Sequence, residues 1–449
     1  MLRAICLALA VALSLHGTGL ARQAAAGEVA AEDAGDDSRI ILELARSRGG
    51  DPAALAQMIQ LTRSDADPIA AEALNELAAA HAGAGDLNLA AEARRVLVER
   101  FPKEPLAGEA ALWLVRLYGS GELAHARRGT TDGDRNLAQQ LASTSARETP
   151  TRASPPDGAT EDNSLAKYGY YLASQIAHSR PTLADDPAFI FQRSAAARRG
   201  GEPKAALGLL TTLKHRRAGD TWGDCARAEA WLVDATRSSP KPTLACPVAE
   251  GAPRLDGVLD EPVWQGGAAA MVTAATPHDA AASDAPSGGA RLAPAEVRLA
   301  HDNEFLYVAI ACPKIAGIEY RHDASPRTRD GADETSDRVR LRLDVDRDYA
   351  TWFELIVDSR GWTRDRCWDD AAWNPEWYVA AADRDDAAGP WWIVEAAIPW
   401  SELASAPPRS GDAWACAIER LAPGAAVQSW SGAPGDAAGP AAFGLLLFE

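Results

Sequence analysis

The sequence predicts a multidomain chain, with an N-terminal α-helical repeat-like array followed by a C-terminal antiparallel β-sandwich. Three observations carry that expectation. Apolar residues recur at helical spacing over residues 36–118 and again over 164–238, short apolar-alternating segments separated by turn residues fill 246–449, and a stiff Pro-containing connection at 239–242 divides the two patterns. At 449 residues with 47% hydrophobic content, the chain is long enough for two or more domains with ordinary cores.

The elements follow in order. Residues 1–21 read as a signal peptide: Arg3, an apolar run over 4–15, then Gly19, Leu20 and Ala21 as the small-residue approach to a cleavage site before Arg22. That run is shorter than the about 20 residues a membrane span needs, so the expectation is an exported protein, periplasmic or extracellular, with no transmembrane segment. Over 36–118, Leu74, Leu77, Ala78, Gly85, Asp86, Ala90 and Pro102 stand at the relative places of a tetratricopeptide repeat, which the stretch resembles, although His81 and Arg94 occupy positions where the repeat has aromatics. The resemblance implies helical hairpins whose apolar faces only a neighbour can cover, and a surface for a protein partner. Residues 119–163 are rich in Gly, Ser, Thr, Pro and mixed charge and read as a linker or mobile loop. Helical spacing resumes over 164–238, with Gly201 and Ala206 as the small contacts of a second hairpin.

In the last 200 or so residues, strands are expected near 295–299, 305–312, 338–344, 352–358, 377–381, 391–398, 414–420 and 443–448, with a Gly/Ala/Pro/Ser-rich insertion at 276–293. Two motifs stand out. Leu255, Asp256, Gly257, Leu259, Asp260, Glu261 and Trp264 open the region, and Trp392, Glu395, Ala397, Ile398, Pro399, Trp400 and Leu403 fall late in it. In that order the region resembles the family 9 carbohydrate-binding modules and their DOMON-like relatives. The resemblance implies a sugar-binding sandwich. It also implies a terminal sugar held between loop tryptophans, for which Trp362, Trp368 and Trp430 are the nearest candidates, and a structural calcium ion. A haem-binding relative would need axial ligands, and Met271 is the only methionine in 246–449.

Several functions are disfavoured. A net charge of −18 offers no basic footprint for nucleic acid or an anionic membrane. The chain has no G-x-S-x-G, H-E-x-x-H, P-loop or dinucleotide fingerprint, and its carboxylates, though many, do not declare a glycosidase pair. No enzyme activity is expected. Outside the signal segment there are five cysteines and no CxxC; at most two disulfides can form, and small buried hydrophobes are the plainer reading.

Two candidate sites remain. Asp344, Asp346 and Asp348 form an Asp-x-Asp-x-Asp run whose hard oxygens suit calcium, although the Gly and distal Glu of an EF-hand are missing. Eleven of the 14 tryptophans lie beyond residue 246, and motif position assigns Trp264, Trp392, Trp400 and Trp414 to the core. Strand alternation turns Val339, Leu341 and Leu343 inward, and puts Arg340, Arg342, Trp352 and Glu354 together on the other face. Such a face suits sugar recognition by stacking and bidentate hydrogen bonds; it equally suits a solvent-facing charge ladder. The sequence thus predicts an exported, non-catalytic carbohydrate-binding protein with a helical scaffold. The rivals are a protein-interaction scaffold whose sandwich no longer binds sugar, and an accessory part of a glycoside hydrolase system.

Overall fold

The computed structural model describes residues 39–63, 67–127, 159–266, 269–274, 292–320, 329–331, 335–387, 389–431 and 439–449. The signal segment and nearly all of the 276–293 insertion lie outside these residues. The described residues form two compact units, one up to residue 97 and one from residue 98 onward.

The first unit is helical, with α1 (Ala54–Leu61), α2 (Asp67–Gly83) and most of α3 (Leu87–Arg100). Leu74, Leu77, Ala78 and Ala90, all at pattern positions, are fully buried. Gly85 turns the chain at φ +80°, a region open to glycine, and Asp86 Oδ1 accepts the Leu89 N–H at 3.0 Å to start α3. His81 is buried too, because its Nδ1 accepts the Gly50 N–H at 3.0 Å; burial lowers its pKa.

In the second unit, α4 (Pro105–Gly119) is followed by α5 (Gly121–Ala126), α6 (Ala159–Ser179), α7 (Pro187–Arg199), α8 (Pro203–Leu209) and α9 (Thr221–Val233), with single turns at Pro181–Ala184 and Thr211–Lys214. Helices α4, α6 and α7 pack on one another around Ala111, Val115, Ala173, Ile176 and Phe189. Gly169 permits the α4–α6 approach: a Cβ there would stand 2.9 Å from Gly119 N. Both described ends of the 119–163 segment are helix, since α5 and the first residues of α6 fall inside it.

Among the described residues twelve strands follow: β1 (Thr243–Cys246), β2 (Ala270–Ala274), β3 (Ala295–His301), β4 (Phe305–Pro313), β5 (Arg338–Asp344), β6 (Phe353–Asp358), β7 (Thr363–Cys367), β8 (Tyr378–Asp386), β9 (Gly389–Pro399), β10 (Ala413–Leu421), β11 (Gln428–Ser429) and β12 (Gly444–Phe448). They make one curled sheet in the order β7-β6-β5-β10-β11-β2-β3-β4-β9-β8, with β12 beside β10 and the short β1 parallel to β12; the other pairings are antiparallel. The curl brings the sheet's two arms face to face. Asp337, ahead of β5, accepts Trp392 Nε1 of β9 at 2.8 Å and Tyr320 Oη at 2.8 Å, and pairs with Arg420 of β10 at 3.0 and 2.6 Å. Arg420 also reaches the Pro313 carbonyl, so this charge pair in the sheet's interior is hydrogen-bonded on both sides, the condition under which burial of ions is tolerated.

The two sequence motifs meet at one carboxylate. Glu395 of β9 accepts from Trp264 Nε1 at 2.8 Å, Gly257 N at 2.8 Å and Asp256 N at 3.1 Å, which fastens the opening loop to the outside of the β4–β9 arm. Gly257 has φ +79°, and a Cβ there would meet Ala382 Cβ at 2.4 Å, so the position requires glycine. Trp264, Trp392, Trp400 and Trp414 are all buried, as expected.

The outer face of the β5–β10 arm is covered rather than open. Phe191 of α7 and Cys225 and Ala226 of α9 pack with Tyr349, Ala415, Ala417 and Phe443, and Trp352 lies against this cluster. The connection at 239–242 is fastened as well: Lys241 Nζ donates to the Pro440 carbonyl at 2.8 Å and contacts Cys225 Sγ at 3.5 Å. Cys225, Cys246, Cys312, Cys367 and Cys416 are buried and free, and burial pushes the Cys225 thiol up to about 11.

Candidate functional site

The Asp-x-Asp-x-Asp run ends β5 and shapes the turn after it. Asp344 Oδ2 accepts Tyr349 N at 2.8 Å, and Asp348 Oδ1 accepts Ala350 N at 2.6 Å and Thr351 N at 2.8 Å. These bonds hold Arg347 and Tyr349 at φ +54° and +55°, in the left-handed region. The helical segment supplies the fourth carboxylate. Ser120 caps α5 by accepting Leu123 N at 3.1 Å, and this places Glu122 so that Oε1 accepts Val345 N at 2.5 Å while Oε2 accepts Ser120 Oγ at 2.9 Å and Thr351 Oγ1 at 3.0 Å. Gly121 N donates to Asp346 Oδ2 at 2.6 Å.

Glu122, Asp344 and Asp346 each bring a carboxylate oxygen within 4.8 Å of the other two, and all three residues are buried. Arg199 Nε lies 3.9 Å from Asp346. Burial and mutual repulsion raise Glu122 and Asp344 well above the usual carboxylate range and push Asp348 up to about 7. The donor set is all hard oxygen, with no sulfur or imidazole, and fits a cation such as calcium. Glu122 had no signal of this kind in sequence, since it stands more than 200 positions from the aspartates in a stretch without apolar period.

The expected recognition face forms, but its residues engage one another. Arg340 donates to Glu419 Oε2 through Nε at 2.9 Å and Nη2 at 2.7 Å; Arg342 Nε donates to Glu354 Oε2 at 2.9 Å, and its guanidinium lies over the Trp352 ring at 5.5 Å. Arg342 is 2% exposed and Glu419 0%. The expectation of an open face is therefore corrected for Arg340, Arg342 and Glu354, which are buried, and for Trp352, which is half-buried against Phe443. The physical reason is the helical cover at this end of the sheet.

Two of the three loop tryptophans are also internal packing residues. Trp368 is buried, with its ring 5.3 Å from Trp113 of α4, and Trp430 lies so close over Gly444 that a Cβ there would be 2.5 Å from the ring. Trp362 is half-buried, as Trp352 and Trp430 are, but it stands at the β6–β7 turn beside an edge strand, with the Arg360 guanidinium 4.0 Å above its ring and Arg360 itself held by Asp358 at 2.9 Å. Two residues on, on the same side of edge strand β7, Arg364 is half-exposed with no hydrogen bond or ion pair among the described residues.

No protein-family model matches the chain, and no curated protein matches its sequence. Among the described residues, no helix is long and apolar enough to cross a membrane.

Proposed function

We propose that the protein is an exported, non-catalytic carbohydrate-binding protein, and that the sugar lies at the β6–β7 turn end of the β5–β7 outer face, across Trp362 and Arg364. The observation that carries this reading is the half-buried Trp362 ring at the β6–β7 turn, faced by Arg360, beside the Arg364 guanidinium, which has no partner among the described residues. An indole offers a stacking surface for the C–H face of a pyranose, and a guanidinium offers paired donors to its hydroxyls. Glu395 joining the two motifs supports the likeness to a carbohydrate-binding sandwich. Glu354 and Glu419, the buried carboxylates of this face, are engaged by arginines, which supports a binding rather than a hydrolytic role. A glycan array probed with the full chain tests the reading; binding to one glycan class is the expected result.

Calcium belongs to the same proposal. Glu122, Asp344 and Asp346 would hold the ion beside Asp348, and its charge would offset the repulsion among the buried carboxylates.

A specific observation favours a second reading. The helices bury most of the face that sugar recognition would use, as expected if the sheet now serves a scaffold and the helical hairpins of residues 39–97 hold a protein partner. Under that reading no glycan on the array binds.

A further inference from the structure

A cleft of about 250 Å³ lies among α8, the end of α9 and residues 411–413 at the start of β10. Its charged lining is built from Arg198, Glu229 and Arg347. Arg198 Nη1 donates to Glu229 Oε2 at 2.7 Å, and Arg347 Nε donates to Glu229 Oε1 at 2.6 Å. Arg198 also reaches the Asp346 carbonyl and Arg347 the Ala413 carbonyl, so both guanidiniums are fixed in place. Glu229 is almost fully buried and lies below the usual carboxylate range because two guanidiniums face it against the penalty of its burial. Two cations thus share one anion, and Arg198 keeps 25% of its side-chain surface open. Asp344 and Asp346 behind Arg198 belong to the carboxylate cluster.

The walls are aliphatic. Leu207, Leu210, Leu232 and Val233 line the cleft, and Leu207 and Val233 are 38% and 70% exposed, although Leu and Val more often lie buried. Asp412 stands on the lip as a second negative charge, its Oδ2 accepting Arg409 N at 2.7 Å. Against the one positive charge that Glu229 leaves on the guanidinium pair, Asp412 on the lip would repel a phosphate or other dianion about twice as strongly as a monoanion. The volume is below the roughly 300 Å³ at which drug-sized pockets begin, and suits a ligand about the size of one residue.

We infer that this cleft binds a small branched aliphatic monocarboxylate, with its carboxylate on the Arg198–Arg347 pair and its alkyl group against Leu207 and Val233. The ligand is either a short-chain fatty acid or the free carboxyl end of a peptide closing on Leu or Val. This site is independent of the sugar reading, and stands whether or not a glycan binds.

Calorimetry on the full chain tests it with 4-methylpentanoate, N-acetyl-leucine and N-acetyl-leucinamide. At least one acid binds saturably with a dissociation constant of about 1 mM or tighter, and the better acid identifies the source. The amide binds at least about tenfold more weakly, because it brings no charge to the guanidiniums. Leu207→Asp, a substitution at an exposed wall position, weakens the better acid by about tenfold or more while the unfolding temperature stays put. Failure of both acids to bind, equal binding of acid and amide, or wild-type affinity in the Leu207→Asp protein each overturns the inference.

Discussion

Arg342 is a charged residue on a strand that is buried on both faces. Its Nε bond to Glu354 holds while α7, α9 and Phe443 cover this end of the sheet, so removing Arg342 withdraws the buried partner of Glu354 and leaves it only Arg366, whose side chain is 48% exposed. Arg342→Ala is expected to lower stability by about 3–5 kcal/mol, far more than an exposed ladder pair would. Chemical denaturation of the full chain measures it, and a loss under about 1 kcal/mol would return the pair to the surface category. Strand alternation alone put Arg340, Arg342, Trp352 and Glu354 on one side of the sheet. What it could not show was the cover, because Phe191 and Cys225 come from helices more than 100 positions upstream and carry no local mark of their destination.

At the scale of elements, β4, β5, β9, β10 and β12 were legible because their apolar alternation or continuous apolar runs are strong. β7, with the sequence Thr-Arg-Asp-Arg-Cys, was not legible; it is polar and takes its place as an edge by pairing with β6. α5 was missed for a different reason: six residues are too few for a helical period, and Glu122 is placed by the Ser120 cap. Helix α2 carries a pH-sensitive contact. His81 binds the Gly50 N–H only when its Nδ1 is unprotonated, and burial depresses its pKa from 6.5. The unfolded state therefore takes up a proton before the folded state does. The contact's contribution is intact above about pH 6.5 and is lost as the pH falls below that value. Hydrogen exchange across Asp67–Gly83, corrected for intrinsic rates, should quicken between about pH 6.5 and 5, and the change should be absent in His81→Gln. Identical protection at both pH values would remove His81 from the account.

At the scale of the whole molecule, the stretch at 239–242 suggested separable halves, yet residues 98–449 form one unit in which helix and sheet share a cluster of four carboxylates. Calcium at a hundred times its dissociation constant should stabilise the protein by about 2.7 kcal/mol. Glu122→Gln should lose most of that gain, and a chelator should lower the unfolding temperature of the wild type alone. No response of the wild type to calcium or chelator would leave the cluster as a site of shared protons. The fold's two parts could be read from periodicity. Which part of the sheet stays open for a ligand depends on packing between distant segments, which sets Trp352 against Phe443, Trp368 against Trp113 and Trp430 over Gly444, while Trp362 stands at the β6–β7 turn. The most direct measurement is calorimetric titration of the array's best glycan into wild type, Trp362→Ala and Trp352→Ala. Trp362→Ala is expected to weaken binding by about 1–3 kcal/mol at unchanged unfolding temperature, the scale of a lost stacking platform, while Trp352→Ala chiefly lowers stability. Wild-type affinity in Trp362→Ala, or the absence of any glycan that binds the wild type, would contradict it.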